Sequence, residues 1–203
     1  MTDTDDDTEA TRKPYWAGRR PGLPPSKIWP PGAELAALRR GLGREPGTVP
    51  AMWPFYLHLR TDGTVSKKLS AEHAALTLFA VHQQSHAAPM HRTGPGLGTA
   101  MRALRDSGKF SDDAVDRRFS AAATATSLTE LTLHLRGLVT QLRTIPQPLD
   151  YDALFKDLVA WQSADQVGAV RRRWGSQYFL RPAAGDGTST PDDPTSTSTG
   201  AQQ

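Results

Sequence analysis

Three histidines close together in the sequence could, by residue type, bind a metal ion. His82 and His86 are four residues apart, so on a helix they would share one face. The pair reads HQQSH, however, and lacks the glutamate that serves as general base in the HEXXH metalloprotease motif. No acidic ligand stands nearby in the sequence. These histidines are better explained by helix-surface or packing contacts, so we predict no metal site and no cofactor.

Other patterns that often carry catalysis are incomplete in this chain. GPGLG at 94–98 resembles a phosphate-binding loop, but it lacks the terminal G-K-[ST] and no predicted strand precedes it. Asp150 and Asp152 are typical of the N-cap and first turn of a helix. The absence of cysteine excludes disulfides, thiolate catalysis and cysteine zinc sites. We therefore predict that the protein is not an enzyme.

Arginine is the residue type that recurs in a functional pattern. Two or more arginines stand beside the apolar positions of each of five predicted helices. A guanidinium group binds phosphate through paired, charge-assisted hydrogen bonds, so such rows suit a nucleic-acid backbone. The predicted nucleic-acid-binding residues are Arg39, Arg40, Arg102, Arg105, Arg117, Arg118, Arg136, Arg143, Arg171 and Arg172.

The charge distribution supports a polyanionic partner. The whole chain has 24 Lys+Arg against 21 Asp+Glu, but the first nine residues hold five acids and residues 181–203 hold three. Residues 10–180 keep 23 basic against 13 acidic side chains, a net charge of +10. Such a charge indicates a nucleic acid, although a basic protein on a membrane surface would share the sign. For any single arginine the alternative is a solvated helix face with local ion pairs to nearby aspartates.

The sequence also bears on where the protein works. Its N-terminus is acidic and lacks the apolar segment of a signal peptide. No apolar run approaches the ~20 residues that a membrane-spanning helix needs. We therefore expect a cytoplasmic protein with no membrane partner.

The hydrophobic periodicity predicts an all-α fold. We expect helices at 33–41, 50–59, 70–85, 97–107, 127–143 and 166–179, and two more that begin after Ser111 and Asp150. Ser70 is the expected N-cap of the helix at 70–85, and Ser127 with Glu130 forms a capping box. No segment shows the strict alternation of apolar and polar residues that indicates strands.

Composition divides the chain into four segments. Residues 1–27 read as a disordered or irregular tail, and residues 181–203 read as a disordered tail. Trp16 and Trp29 suggest that the proline- and glycine-rich segment at 10–32 nonetheless docks at its end. Residues 28–110 form a predicted N-terminal helical subdomain, and residues 111–180 a C-terminal helical bundle. The prediction is therefore two small helical bundles in tandem.

Five consecutive blocks carry a resemblance to a known family. In order and spacing, the chain resembles the CasB family, the small subunit of the type I-E CRISPR surveillance complex Cascade. WPFYLHLR (53–60) fits the more variable front half of that family, and Asp116 stands where its members usually have Glu before the paired arginines. The five blocks are GPGLGTAMRAL (94–104), DRRFSAAATA (116–125), LTELTLHLRGLVTQLR (128–143), LDYDALFKDLVAW (149–161) and VRRRWGSQYF (170–179).

The resemblance implies a partner set and a role. CasB proteins are all-helical and non-catalytic, and they assemble as a pair along the inner face of Cascade. There they contact the backbone and large subunits and help to hold DNA opened by the guide RNA in antiviral defence. The expected partners are these subunits, a second copy of the chain, the displaced strand of target DNA (an R-loop) and guide RNA. The residues implied on the nucleic-acid path are Arg102, Arg117, Arg118, Arg136, Arg171 and Arg172.

Two other functions are compatible with the same sequence. The protein could be a purely structural subunit that braces the complex, its arginines satisfied by acidic protein neighbours. It could also be a helix-turn-helix regulator, but the chain shows no compact helix-turn-helix pattern. Crosslinking of individual arginines to DNA or to protein separates the first alternative from nucleic-acid binding, and competition by unrelated DNA separates the second.

Overall fold

The computed structural model describes residues 13–18 and 30–180. Seven α-helices make up most of this part, and none of them is long and apolar enough to cross a membrane. Its one β feature is an isolated bridge between His91 and Leu149, so the predicted all-α fold is confirmed. The helices are α1 (Gly32–Arg39), α2 (Lys67–His82), α3 (Leu97–Asp106), α4 (Asp112–Thr124), α5 (Leu128–Leu142), α6 (Tyr151–Trp161) and α7 (Val167–Phe179).

Helix α2 is the centre of the fold. Every residue from Ala71 to His82 is buried, on all sides of the helix. α1, α5 and α6 pack around it, and its alanines let these neighbours approach closely. A helix that is buried on all sides belongs to the interior of a protein, whereas the other helices bury a single stripe.

Two polar side chains inside α2 fix the segment that precedes it. The carboxylate of Glu72, which is 2% exposed, accepts hydrogen bonds from the backbone N–H groups of Leu57 at 2.6 Å and His58 at 2.9 Å. His73 Nε2 lies 2.9 Å from the carbonyl oxygen of Gly41 and must donate to it, so Nδ1 accepts from the hydroxyl of Tyr56 at 2.6 Å. The carboxylate of Glu72 and both ring nitrogens of His73 thus have partners, as buried polar groups require.

The start of α2 corrects the sequence prediction. The helix begins at Lys67, and its N-cap is Ser66, whose hydroxyl accepts a hydrogen bond from the backbone N–H of Leu69 at 3.1 Å. Ser70, the predicted N-cap, lies inside the first turn. Ser66 and Ser70 stand four residues apart in similar sequence contexts. Ser66 is the N-cap because its backbone is extended, as an N-cap requires.

The other predicted helix starts are confirmed. The Asp150 side chain accepts a hydrogen bond from Ala153 N at 3.0 Å and so caps α6. Ser127 caps α5 by accepting from Glu130 N at 3.1 Å, but the Glu130 carboxylate accepts from Thr126 N at 2.7 Å. The capping box therefore reaches one residue further back than predicted. Ser111 occupies the N-cap of α4 without a side-chain hydrogen bond.

The predicted helix at 50–59 is shorter than expected. The structure has a 3₁₀ helix over Pro50–Phe55 with Pro54 inside it. Proline lacks a backbone N–H and clashes with the preceding helical turn, so an α-helix cannot continue through this position. Met52 and Phe55 are buried, whereas Trp53 points outward.

A second short 3₁₀ helix, Tyr15–Ala17, docks onto the main body. Tyr15 and Trp16 are 1% and 4% exposed, and Trp16 Nε1 donates a hydrogen bond to Asp152 Oδ1 at 2.7 Å. The expected docking of Trp16 is therefore observed within the segment predicted to be an irregular tail. Trp29, the other tryptophan expected to dock, and the rest of the two predicted tails lie outside the described residues.

The hydrophobic core runs through the whole described body. One cluster of buried side chains includes members of all seven α-helices. α2 packs on α5 and α6, and α3 packs on α7, so contacts cross the predicted boundary at residue 110 extensively. The separation into subdomains at 28–110 and 111–180 stays a prediction.

Candidate nucleic-acid interface

Helix α4 presents two arginines to solvent. Val115, Phe119 and Ala122 form its buried stripe at steps of three and four residues. At ~100° per residue, Arg117 points directly away from this stripe and Arg118 lies on its flank. Both side chains are exposed, so packing of the stripe holds the two guanidinium groups outward.

The three consecutive arginines of α7 point in three directions. Val170, Trp174 and Tyr178 anchor the helix. Arg171 lies over the indole ring of Trp161, with its guanidinium carbon 5.1 Å from the ring centroid. Arg173 forms an ion pair with a buried aspartate, whereas Arg172 projects away from the anchored side and is exposed. Within the part of the chain that the structure describes, the triplet therefore combines two arginines in structural contacts with one, Arg172, whose guanidinium has no partner.

The ion pair of Arg173 fixes α7 to α6 through Asp157. This carboxylate is 5% exposed and also accepts a hydrogen bond from Trp174 Nε1 at 2.6 Å. Burial raises the pKa of Asp157, and the bonds from Trp174 and Arg173 partly offset the shift by stabilising the anion. A charged acceptor with two donors is the arrangement that a buried carboxylate needs. Asp157 thus positions the helix that carries Arg172.

Five of the ten predicted arginines have open guanidinium groups. Each is exposed and makes no side-chain hydrogen bond or ion pair with any residue in 13–18 or 30–180. Their donors are available to an external acceptor, and an Arg guanidinium carries five of them. These open arginines are Arg40, Arg117, Arg118, Arg136 and Arg172.

Four others, the capping arginines, donate to backbone carbonyls at or just past the C-terminus of a helix. The final carbonyls of a helix have no partner within it, and cations there interact favourably with the helix dipole. The pairs are Arg39 with Ala80 O at 3.3 Å, Arg102 with Leu180 O, Arg143 with Gln84 O at 3.1 Å, and Arg171 with Ala125 O at 3.1 Å.

Arg105 is the one predicted site residue held by carboxylates. Its guanidinium lies 3.3 Å from Asp112 and 3.2 Å from Asp116, and the hydroxyl of Tyr178 donates to the same Asp116. These contacts join α3, α4 and α7. Arg105 is therefore engaged within the fold, and it could bind phosphate only by exchanging partners.

Four of the five open arginines lie on helices that touch one another. α5 packs on α4, and the ring of Phe119 on α4 lies 4.6 Å from that of Tyr178 on α7. This group carries Arg117, Arg118, Arg136 and Arg172. Arg40 follows the end of α1, whose main neighbour is α2, and so belongs to another part of the surface.

The close packing of α3 on α7 depends on Gly98. A Cβ atom at this position would lie 2.2 Å from the carbonyl oxygen of Trp174. The GPGLG stretch at 94–98 is thus a loop and helix start that lets two backbones meet. Its glycines have a packing role that the sequence alone did not indicate.

The three histidines make separate contacts. His82 is fully buried, with Nδ1 3.1 Å from the hydroxyl of Tyr151. His86 Nε2 lies 3.1 Å from Arg143 O, so this nitrogen donates. His91 Nδ1 accepts from Tyr151 N at 3.1 Å. Burial lowers the pKa of His82 to about 3, so the ring is neutral at physiological pH.

Sequence reasoning did not predict that the aromatic side chains of Trp53 and Phe179 would be exposed. Trp53 is 52% and Phe179 69% exposed, whereas Trp161 and Trp174 are buried, and the position of Trp53 follows from its segment. The signal was present in the two prolines at positions 50 and 54, which restrict this segment to a short helix. A short 3₁₀ helix with Met52 and Phe55 turned inward leaves the intervening tryptophan outside.

Comparison with known proteins identifies the family. The family model of the CRISPR-associated protein Cse2 matches residues 34–179, from α1 to the last residue of α7. The chain belongs to the Cse2 family. CasB from Thermobifida fusca is 33% identical to it with a TM-score of 0.60, over 72% of this chain and 84% of that one. The resemblance found in the five sequence blocks is confirmed.

Other solved structures agree with this Cse2 assignment. A chain of a CRISPR RNA-guided surveillance complex is 26% identical with a TM-score of 0.56, over 72% of this chain and 81% of that one. A Cse2-family protein from Thermus thermophilus is 24% identical with a TM-score of 0.58, over 76% and 88%, and supports the fold alone. No curated protein sequence matches the chain.

Proposed function

We propose that this Cse2-family chain is a non-catalytic small subunit of Cascade. In this role it binds the sugar-phosphate backbone of DNA opened by a guide RNA, and so stabilises the displaced strand in antiviral defence. The observation that carries the proposal is the group of open arginines on α4, α5 and α7. Similarity to a chain of a CRISPR RNA-guided surveillance complex supports the subunit role.

The physical chemistry of strand exchange favours such a surface. Base pairing with the guide reads the sequence, and replacing the DNA duplex by the heteroduplex is nearly neutral in free energy. Backbone contacts to an opened strand can therefore shift the balance. Arginines bind phosphate irrespective of sequence, and the resulting affinity falls steeply with salt because counterions are released.

The proposed partners follow from the phosphate-binding chemistry of the open arginines. The displaced strand of target DNA is the main ligand of the open arginines, and guide RNA offers the same phosphate chemistry. The backbone and large subunits of Cascade and a second copy of the chain complete the expected set. Arg39, Arg102, Arg105, Arg143 and Arg171 hold helices in place through contacts within the fold.

The first prediction concerns Arg117 and Arg118. We expect the wild-type protein to bind single-stranded DNA with an affinity that falls as salt rises. The double variant R117Q/R118Q should bind several-fold more weakly, and its log–log salt slope should be shallower by about one to two. Fluorescence anisotropy of a labelled strand at several salt concentrations measures both quantities.

The matched control is R60Q/K156Q, which loses the same two charges at exposed positions outside the predicted site. It should bind nearly as the wild type does. Equal losses of DNA affinity in R117Q/R118Q and R60Q/K156Q would show that only net charge matters. The assignment of the binding site to α4 would then be wrong. If the arginines of assembled Cascade crosslink to protein neighbours and not to DNA, the bracing function replaces the one proposed.

A further inference from the structure

Trp53 differs from the other tryptophans of the described residues. Trp16, Trp161 and Trp174 are at most 6% exposed, whereas Trp53 is 52% exposed. Exposing about half of so large an apolar side chain gives up the free energy that its burial would contribute to folding. Such a side chain is a candidate for a contact with another molecule.

The indole of Trp53 is held in a fixed position. Its Nε1 donates a hydrogen bond to the carbonyl oxygen of Gly47 at 2.7 Å. Gly47 has a φ of +79°, which favours glycine, and the Leu59 side chain packs 3.4 Å from where a Cβ of residue 47 would lie. Pro50 and Pro54 restrict the backbone on either side. The N–H group is used internally, so what the ring offers to a ligand is its apolar surface.

The stretch that joins α1 to this 3₁₀ helix is basic. Arg40 and Arg44 are exposed, and neither side chain has a hydrogen bond or ion pair with any described residue. Glu45 is the single acidic residue between positions 40 and 53. The 3₁₀ helix of Trp53 contacts α1, and the segment between the two helices therefore adds two cations without partners among the described residues to a fixed aromatic ring.

We propose that Trp53 is a stacking platform for an unpaired base of a single-stranded nucleic acid, with Arg40 and Arg44 binding the flanking phosphates. This inference rests on the proposed function and assigns it a second contact region. Aromatic rings bind single strands by stacking, which tolerates any sequence because every base has a π face. A partner protein would also fit an exposed tryptophan, but the two unpaired cations favour a polyanion.

The experiment separates stacking from charge with two labelled strands of equal length, an oligothymidylate and an abasic strand. Trp53→Ala and Trp53→Leu should weaken binding of the oligothymidylate at least about fivefold, whereas Trp53→Phe should stay within about twofold of wild type. All four proteins should bind the abasic strand alike. The salt slope should be unchanged, because no phosphate contact is removed.

Each other outcome overturns the inference in a recognisable way. Equal binding of the oligothymidylate by wild type and Trp53→Ala would show that no base stacks on Trp53. The proposed function would still stand if R117Q/R118Q binds DNA more weakly than wild type. Absence of salt-dependent binding by wild type removes both. If Trp53→Leu binds strands normally but no longer copurifies with Cascade subunits, Trp53 contacts protein. Comparison of the Phe and Leu variants decides the question even if Trp53→Ala fails to fold.

Discussion

Arg171 and Arg172 are neighbours in the chain and yet differ in every contact. Arg171 covers Trp161 and donates to a carbonyl at the end of α4, whereas Arg172 reaches solvent without a partner in the described residues. The same contrast separates Arg39 from Arg40. At the residue scale, therefore, one predicted group of arginines consists of side chains that stabilise helix ends and side chains that remain available to a ligand.

A second prediction at the residue scale concerns His82. Burial lowers its pKa from the usual 6.5 to about 3, so the folded protein keeps the ring neutral while the unfolded chain takes up a proton below pH 6.5. Because the folded pKa is depressed, the free energy of unfolding should fall as pH drops from 6.5 towards 3, by up to about 1.4 kcal/mol per pH unit. Urea unfolding between about pH 4.5 and 7.5 measures this dependence.

The variant His82→Gln should make that dependence shallower. His73, whose pKa burial also lowers, contributes in the same direction and should keep part of the slope. Leu138→Ala is the control, because it truncates a buried side chain of α5 without removing a titrating group. It should lower stability at every pH and leave the slope unchanged. An unaltered slope in His82→Gln would mean that other groups cause it.

At the scale of elements, the crossing of α3 and α7 depends on the absence of one side chain. The third prediction is that Gly98→Ala destabilises the protein by about 1–3 kcal/mol or more, because its Cβ would lie 2.2 Å from the rigid backbone oxygen of Trp174. Thermal unfolding followed by circular dichroism measures the change.

Gly137→Ala is the matched substitution for this test. Gly137 is an exposed residue within α5, and no atom lies within 4 Å of the position of its Cβ. Alanine should stabilise α5 here by up to about 1 kcal/mol, because it restricts the unfolded chain and favours the helix. Destabilisation by both alanines would show that the crossing is not the cause.

Single elements also show where sequence reasoning works. Apolar spacing located α3, α5 and α7 to within a residue or two at each end, since each has a buried stripe and a polar side. The start of α2 was wrong because two serines offered the same local signal, and the helix over 50–59 was too long because Pro54 was given too little weight. At the start of α2 the extended backbone of Ser66 decides between the two serines, whereas at 50–59 Pro54 itself carried the signal for a shorter helix.

At the scale of the whole molecule, Trp16 ties the N-terminal segment to the C-terminal half. The fourth prediction follows from this contact. Trp16→Ala should destabilise the protein by about 3–5 kcal/mol, because a buried aromatic ring and its hydrogen bond to Asp152 are lost together. Trp53→Ala, which removes a ring of the same size that is half exposed, should cost far less. Chemical denaturation of both variants gives the comparison.

Similar losses in the two variants would show that Trp16 is not part of the core in solution. Trp16→Phe adds a finer distinction, because it keeps most of the buried ring and removes the hydrogen bond to Asp152. The loss of unfolding free energy in Trp16→Phe should lie between the losses in Trp16→Ala and Trp53→Ala.

The fold and the family could be predicted from the sequence more fully than the site could. Helical periodicity is local, and five sequence blocks identified the family that the comparisons confirm. The partner of an arginine is not local: Arg39 donates to Ala80, and Arg143 to Gln84. Which guanidinium groups stay open depends on tertiary contacts between residues tens of positions apart, so sequence could name the candidates without sorting them.

The capping arginines have a kinetic consequence. A guanidinium that donates to a carbonyl keeps its full positive charge, so under the proposed function the four capping arginines should help to attract a distant polyanion and raise the encounter rate. The open arginines, whose donors have no partner among the described residues, should then hold the phosphate and set the residence time. Neutralising a capping arginine should therefore slow association at low ionic strength and leave the dissociation rate nearly unchanged.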